Sequence, residues 1–411
     1  MSEIGLFKLD INDNKELTNI YTDFNLLEAH KIKQIESNCN HDVKSIEYYI
    51  KEKLNTYNLK QLKEFVHFGL TSQDINSLAN TLRLKDCMDS IIIPYIKQIL
   101  EVIYINVSKW INIPMLSRTH GQPASPTLVG KELMVFHERL RKQLKHLLDY
   151  KYSTKFGGSV GNMNAHHVAY SNIDWIKEMD YFINSFDLER NQYTTQVDHY
   201  DNYATLFDII RRINTILIDL NTDIWEYISL NYFKQTVVSD EVGSSTMPHK
   251  INPIDFENSE GNLLLANNLL NFLSNKLPIS RLQRDLTDST IIRNMGSSFA
   301  FSLIGYKSIL IGLSKLELNE VIINKDLREN WIVVVEGIQT ILRSNRVENS
   351  YELLKELTRN HEINSDNCKE KINNFIDTLT INEEIKTKLR NITPFNYLGI
   401  TSKNSPLLNS I

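Results

Sequence analysis

Residues 243–253 read Gly-Ser-Ser-Thr-Met-Pro-His-Lys-Ile-Asn-Pro. Gly243 and the paired serines form a hinge rich in hydroxyls, and Pro248 and Pro253 stiffen the rest of the loop. Lys250 and Asn252 then supply a cation and an amide close together. A loop with a serine hydroxyl, a positive charge and fixed donors suits a reaction in which negative charge appears on a substrate oxygen. Ser244 and Ser245 are equivalent candidates on residue type alone. A second candidate is His120, in Thr119-His120-Gly121-Gln122-Pro123. An imidazole titrates near neutrality and can hand a proton to a leaving group, an effect worth ~10²–10⁴ in rate. A third group is basic: Lys276, Arg281, Arg284 and Arg293 cluster in a chain of net charge −5. Arginine grips phosphate or carboxylate with paired hydrogen bonds. On charge pattern alone, the same run also reads as a helix surface balanced by Asp285 and Asp288. The Gly157-Gly158-Ser159-Val160-Gly161 stretch is followed by no P-loop lysine, and reads as a tight loop between helices.

These residues sit in a longer ordered set of motifs. The loop continues through Ile254-Asp255-Phe256-Glu257-Asn258-Ser259-Glu260-Gly261-Asn262. It is preceded by Ser2-Glu3-Ile4-Gly5, Asn40-His41-Asp42-Val43-Lys44, Thr71-Ser72-Gln73-Asp74-Ile75-Asn76, Ser117-Arg118-Thr119-His120-Gly121-Gln122-Pro123-Ala124 and Val160-Gly161-Asn162-Met163-Asn164-Ala165-His166. It is followed by Arg281-Leu282-Gln283-Arg284-Asp285-Leu286-Thr287-Asp288-Ser289. Together they resemble the fumarase/aspartase superfamily of lyases, and His249 before Lys250 resembles its adenylosuccinate lyase branch.

The resemblance implies an all-α fold of three helical domains, with long central helices forming a bundle that assembles in a homotetramer. Active sites would then be shared between subunits. It implies a C–N lyase that eliminates fumarate from adenylosuccinate, giving AMP, and from SAICAR, giving AICAR, without metal or cofactor. By the same resemblance Ser244 is the general base and His120 the general acid, with Glu257 holding His120 protonated. Lys250 and Asn252 face the developing charge. His41, with Asn40 and Asp42, lies at the substrate; Thr71 and Ser72 take the succinyl carboxylate; Gln196 and Asn258 make further contacts. Arg284, Ser289, Thr290, Ile291, Ile292 and Arg293 hold the nucleotide. His67 is a weaker candidate, and His137, His146 and His361 are given no role. Family members also carry, upstream of the part matched, a Ser-Pro-Val/Ile-Asp-Gly-Arg-Tyr element that helps hold the phosphate. This chain is expected to lack it, at a cost of ~1.5–3 kcal/mol per lost charge-assisted contact. Two other readings are an argininosuccinate lyase-like enzyme and a non-catalytic helical scaffold. His249 and the Arg-Asp-Leu-Thr-Asp-Ser segment disfavour the first, and the full set of candidate groups disfavours the second.

The elements that must position these groups read as helices. The 411 residues include only 14 glycines and 9 prolines, and 6–68, 162–242 and 338–393 contain neither. Such stretches favour long uninterrupted helices. Leu206, Ile209, Ile213, Ile216, Leu220, Ile224 and Ile228 step by three and four, predicting a helix over about 203–232 whose apolar stripe is widened by Ile210, Leu217 and Trp225. Leu133, Phe136, Leu140, Leu144 and Leu147 predict a second over 128–152. Segments 84–110 (bent at Pro94), 262–275 and 297–315 complete five central helices. No strand pattern dominates; a short alternation near 235–239 could pair weakly. Domain edges are placed at 1–70, 71–312 and 313–411. Three scattered cysteines, without a CxxC pair, suit a reducing compartment. The absence of a signal-peptide pattern and of an uninterrupted apolar run of ~20 residues points to a cytoplasmic protein with no membrane partner. The acidic balance argues against nucleic acid.

Overall fold

The computed structural model describes residues 1–236, 247, 250–359 and 367–400. Ser244, Ser245, His249 and His361 lie outside them. The chain opens with α1 (Ile11–Thr22), α2 (Leu26–Cys39) and α3 (Asp42–Thr56), then α4 (Ser72–Cys87) and α5 (Ile93–Trp110). A hairpin follows, β1 (Pro114–Thr119) and β2 (Gln122–Leu128), and then α6 (Val129–Leu148). Short elements come next: β3 (Ser153–Thr154), α7 (Asn164–Ala169), α8 (Trp175–Asn184) and β4 (Glu189–Arg190). The 29-residue α9 (Asp201–Ser229) leads to β5 (Phe233–Gln235), α10 (Ile254–Lys276), α11 (Thr287–Ile292) and α12 (Met295–Ser314). The chain continues through β6 (Leu316–Leu318), α13 (Glu320–Glu329), α14 (Val335–Ser344), α15 (Ser350–Arg359), α16 (Cys368–Thr378) and α17 (Glu383–Arg390). The architecture is all-α in class, with three two-stranded sheets among the described residues.

The two helices drawn from periodicity stand close to their expected bounds, whereas the segment expected at 84–110 is the later part of a helical stretch that begins at Ser72. The α9 stripe is buried at Leu206, Ile209, Ile213, Ile216, Leu220 and Ile224, and the α6 stripe at all five positions. Trp225 departs from the expectation: it is 42% exposed and donates its indole N–H to Glu257 at 3.0 Å. Helix α10 starts at Ile254, not near 262, because the turn closed by Phe256 N–H on the Pro253 carbonyl carries directly into it. Pro94 has no N–H to give, and the backbone ahead of it widens into a π-turn over Met88–Ile92.

The stretches without glycine or proline do not form single long helices. Residues 6–68 make three helices of 12, 14 and 15 residues, and 162–200 is largely irregular around α7 and α8. Asparagine and aspartate do the breaking instead. Asp10, Asn25 and Asp174 cap helix N-termini through their side chains. Asn40, Asn58, Asn231, Asn349 and Asp187 take left-handed backbone where glycine is the usual choice.

The described residues pack into two compact units: those of Met1–Ile93, Leu147–Ile210 and Asn268–Ser297 form the first, and those within Pro94–His146, Arg211–Asn267 and 298–400 the second. In the first, Leu78, Phe156, Met163, Trp175, Met179, Ile183 and Leu188 form one core, and Leu54, Leu59 and Leu62 another. In the second, buried polar pairs join α9 to its neighbours. Asn221 donates to Ser259 at 2.9 Å, Asn214 to Ser302 at 3.0 Å, and Tyr306 to Asn214 at 2.7 Å. Two helical stretches, Ser72–Trp110 and Thr287–Ser314, are long and apolar enough to cross a membrane, which a count of uninterrupted apolar residues misses. About half of each apolar window is buried, 44% and 50%, as in the core helices of a globular fold.

Candidate active site

In the first unit one hydrogen-bonded network, buried around Asp74, joins the Thr71-Ser72 corner to Gln196 and Arg284. Asp74, in the first turn of α4, places one carboxylate oxygen on the Thr71 N–H at 2.8 Å, holding the Thr71-Ser72 corner. The other oxygen accepts from Gly157 N–H at 2.8 Å, Gly158 N–H at 3.2 Å and Lys155 Nζ at 2.6 Å. Lys155 also donates to the Gly158 carbonyl at 2.6 Å, and both charged side chains are fully buried. Burial pushes the Lys155 amine below its ordinary value, with Asp74 working against it. The glycine-rich loop is therefore an internal strut, and its lysine precedes it and faces a carboxylate. Ser77 extends the network to Thr154 at 2.9 Å and to Asp198 at 3.2 Å. Burial drives the Asp198 carboxyl upward. Gly69, at φ +67°, comes so close to the His166 ring that an added Cβ would stand 2.7 Å from it, so the turn before Thr71 depends on this glycine. Burial among Phe68, Trp175 and Gly69 lowers the His166 pKa.

Gln196 continues the network on its other side. Its amide donates to the Ser159 carbonyl at 3.0 Å and accepts from Arg284 Nη1 at 3.1 Å, and its backbone N–H meets the Gln283 carbonyl at 3.3 Å. The charge-balanced reading of the basic run holds for Arg281, which pairs with Asp285 at 3.2 Å. It fails for Arg284, which is turned to Gln196, and for Asp288, which is buried and takes the Tyr200 hydroxyl at 3.1 Å. Ser289, Thr290, Ile291 and Ile292 lie in α11, and Arg293 caps its C-terminus exposed. Asn40, His41 and Asp42 form the corner between α2 and α3. Asn40 is left-handed at φ 49°, and His41 Nδ1 accepts the Lys44 N–H at 3.2 Å. An accepting Nδ1 puts the proton of the neutral ring on Nε2.

The second unit presents His120 differently. Thr119 pairs with Gln122, leaving His120 and Gly121 as a two-residue hairpin turn at φ 53° and 73°. Two positive φ values define the type I′ turn that matches strand twist, and histidine tolerates the left-handed region better than most residues. The imidazole is exposed, and no hydrogen bond or ion pair engages it among the described residues. Glu257 stands in the first turn of α10 and accepts from Trp225, so His120 and Glu257 are not paired within one chain. Asn258 donates to Ser308 at 2.7 Å and accepts from Asn262 at 2.9 Å, engagements internal to the fold. Lys250 is exposed, and its backbone N–H meets the Met247 carbonyl at 3.0 Å. Asn252, just before α10, is partly buried.

Known proteins decide the family. The lyase family model matches residues 11–266, and the adenylosuccinate lyase C-terminal model matches residues 280–398. An adenylosuccinate lyase of Dictyostelium discoideum is 54% identical over 399 residues, covering 95% of this chain and 84% of the relative. The chain belongs to the adenylosuccinate lyase family. Other adenylosuccinate lyases are similar to it: one of Buchnera aphidicola at 48% identity, covering 96% of this chain and 87% of the relative, and one of Escherichia coli at 47%, covering 92% and 83%. Two solved structures share the fold. A 3-carboxy-cis,cis-muconate lactonizing enzyme from Pseudomonas putida has TM-score 0.73 at 16% identity, covering 97% of this chain and 88% of that one. A fumarate lyase from a Mesorhizobium species has TM-score 0.73 at 15% identity, with the same coverage.

Among the groups of this candidate site, Asp74, Lys155 and Asp198 have no role in the sequence analysis. The Thr71-x-x-Asp74 spacing of a capping box was a readable signal for the first. Lys155 carries none: a lysine beside a glycine pair looks like any surface lysine until tertiary packing buries it.

Proposed function

We propose that this chain is an adenylosuccinate lyase in activity, eliminating fumarate from adenylosuccinate to leave AMP, and from SAICAR to leave AICAR. The reading is carried by identity of 45–54% to adenylosuccinate lyases along more than four-fifths of their length. Ser244 takes the proton from the carbon beside a succinyl carboxylate. The electron pair left behind moves onto that carboxylate, which gains a second negative charge, and Lys250, Asn252 and nearby N–H groups stabilise it. The pair then returns to form the fumarate double bond as the C–N bond breaks, and His120 supplies the proton that the departing nitrogen takes up.

Thr71 and Ser72 hold the succinyl carboxylate at the corner fixed by Asp74. Gln196 and Arg284 act as one hydrogen-bonded pair on the nucleotide side, with Asn40, His41, Asp42, Asn258 and the Ser289–Arg293 segment completing the contacts. The exposed, unengaged imidazole of His120 suits a group that must reach substrate.

The same reading makes the protein a cytoplasmic homotetramer, in which Glu257 meets His120 across a subunit boundary. Exposed apolar side chains on the long helices support it: Ile105 at 55%, Val135 at 42%, Leu264 at 47%, Leu265 at 51%, Ile304 at 44% and Ile311 at 47%. Light scattering should give four times the 47.8 kDa chain mass. Adenylosuccinate cleavage followed by absorbance tests the activity. Ser244→Ala should lower kcat by more than about a thousandfold while adenylosuccinate still binds. Unchanged turnover would remove Ser244 from its role.

A further inference from the structure

Both strands of the hairpin that carries His120 are fastened to the C-terminal helices, a region to which the sequence gives no chemistry. Arg118, two residues before His120 on β1, donates from Nη2 to Asp326 Oδ2 on α13 at 2.6 Å. Ser125, on β2, donates its hydroxyl to Glu336 on α14, and the same Glu336 oxygen takes the Tyr397 hydroxyl at 3.1 Å. Asp326 is itself fixed from two further sides. Asn330 donates to Oδ1 at 2.9 Å, and Tyr232, just ahead of β5, donates its hydroxyl to Oδ2. Strand β1 packs along α13. Asp326 and Arg118 are 19% and 24% exposed, so the pair is partly shielded from water and stronger than a surface contact.

The arrangement has a mechanical reading. A two-residue turn transmits the orientation of its strands directly to the side chain at its tip, and the irregularity between Leu116 and Arg118 places a kink just before the anchored arginine. Catalytic proton transfer is sensitive to misplacement of about 1 Å. We infer that Asp326 and Glu336 are positioning residues that set the orientation of His120 through Arg118 and Ser125. The inference rests on His120 being the general acid.

The test is a double-mutant cycle in the full-length protein, measured with adenylosuccinate. Asp326→Asn should lower kcat by about ten- to a hundredfold, with KM within about twofold of the parent. In a His120→Ala background the same change should lower kcat by less than about twofold, because the group it positions is gone. Asp326→Glu, which keeps the charge for Arg118, should recover part of the loss. Equal factors in both backgrounds would mark Asp326 as a merely structural residue and overturn the inference. Should Asp326→Asn fail to fold, Ser125→Ala serves in its place: it removes the other anchor, at a partly exposed hydroxyl, and should show the same dependence on His120. An unaltered kcat in Ser125→Ala and Asp326→Asn, beside an impaired His120→Ala, sinks this inference alone. A His120→Ala enzyme as fast as the parent sinks it together with the function proposed above.

Discussion

The Thr71 corner and the His120 turn hold their residues by opposite means. Around Thr71, order comes from side chains: a fully buried carboxylate gathers three backbone N–H groups and an ammonium, and Gln196 passes the network on to Arg284. At His120 no side chain orders the ring itself: two left-handed residues sit between paired strands, which are anchored further back at Arg118 and Ser125, and the imidazole is unengaged among the described residues. The difference matches the tasks proposed for them. A binding corner benefits from donors fixed before substrate arrives, since less ordering remains to be done on binding. A proton donor must keep its ring available, so its position is set by everything except its own hydrogen bonds. The first design is vulnerable to loss of charge, the second to loss of turn geometry.

Loss of charge should have the larger effect. Lys155→Met leaves Asp74 buried with its cation gone, and removing one partner of a buried pair destabilises by ~3–5 kcal/mol. The thermal midpoint should fall far more than for any substitution in the His120 turn. A second change, Asp74→Asn, should restore part of it by neutralising the stranded carboxylate. A Lys155→Met protein that melts like the parent would show that the pair contributes nothing to the corner.

The turn should fail in the opposite sense. An added Cβ at Gly121 meets nothing within 4 Å, so Gly121→Ala is opposed only by its φ of 73°. That strain is ~1–2 kcal/mol, a modest loss of stability. Because the strain sits beside His120, kcat should drop more than tenfold while the midpoint moves by a few degrees. Gly121→Asn should lie between, since asparagine accepts left-handed backbone. Equal kcat in all three proteins would mean that the turn does not position the imidazole.

The contrast also explains what the sequence could reveal. The long helices were legible because periodic burial writes itself into spacing: all five α6 positions chosen on pattern are buried. The hairpin was not, since Pro114, Pro123 and Pro126 within it argue against strands, and its His-Gly turn lacks the usual Asn-Gly signature. The motifs that contain Thr71 and Arg284 are legible in the sequence. Lys155 and Asp326 are not, because a buried ion pair and a partner far along the chain leave no local pattern. Helix boundaries in 6–68 and 162–200 escape a search for glycine and proline, because asparagine and aspartate break the chain there.

The smallest expected effect is a pH dependence to which the side-chain-ordered region contributes two histidines and α6 a third, the buried His137. Burial holds the pKa values of His67 and His166 below the ordinary 6.5. At pH above 6.5 these rings are neutral both folded and unfolded, and contribute no slope. As pH falls below 6.5, the unfolded chain takes up protons that the folded one refuses, so the unfolded state gains. Stability should therefore decline from 6.5 downward, until the lowered folded values are reached. Thermal midpoints at about pH 7.5 and about pH 5.5 measure this. His166→Gln removes one titrating ring, keeps a polar side chain and should narrow the gap between the two midpoints, with His67 and His137 contributing to what remains. A gap of the same width in His166→Gln would show that the buried ring is charged in the folded state, and that the corner tolerates a charge next to Gly69 which its packing argues it cannot.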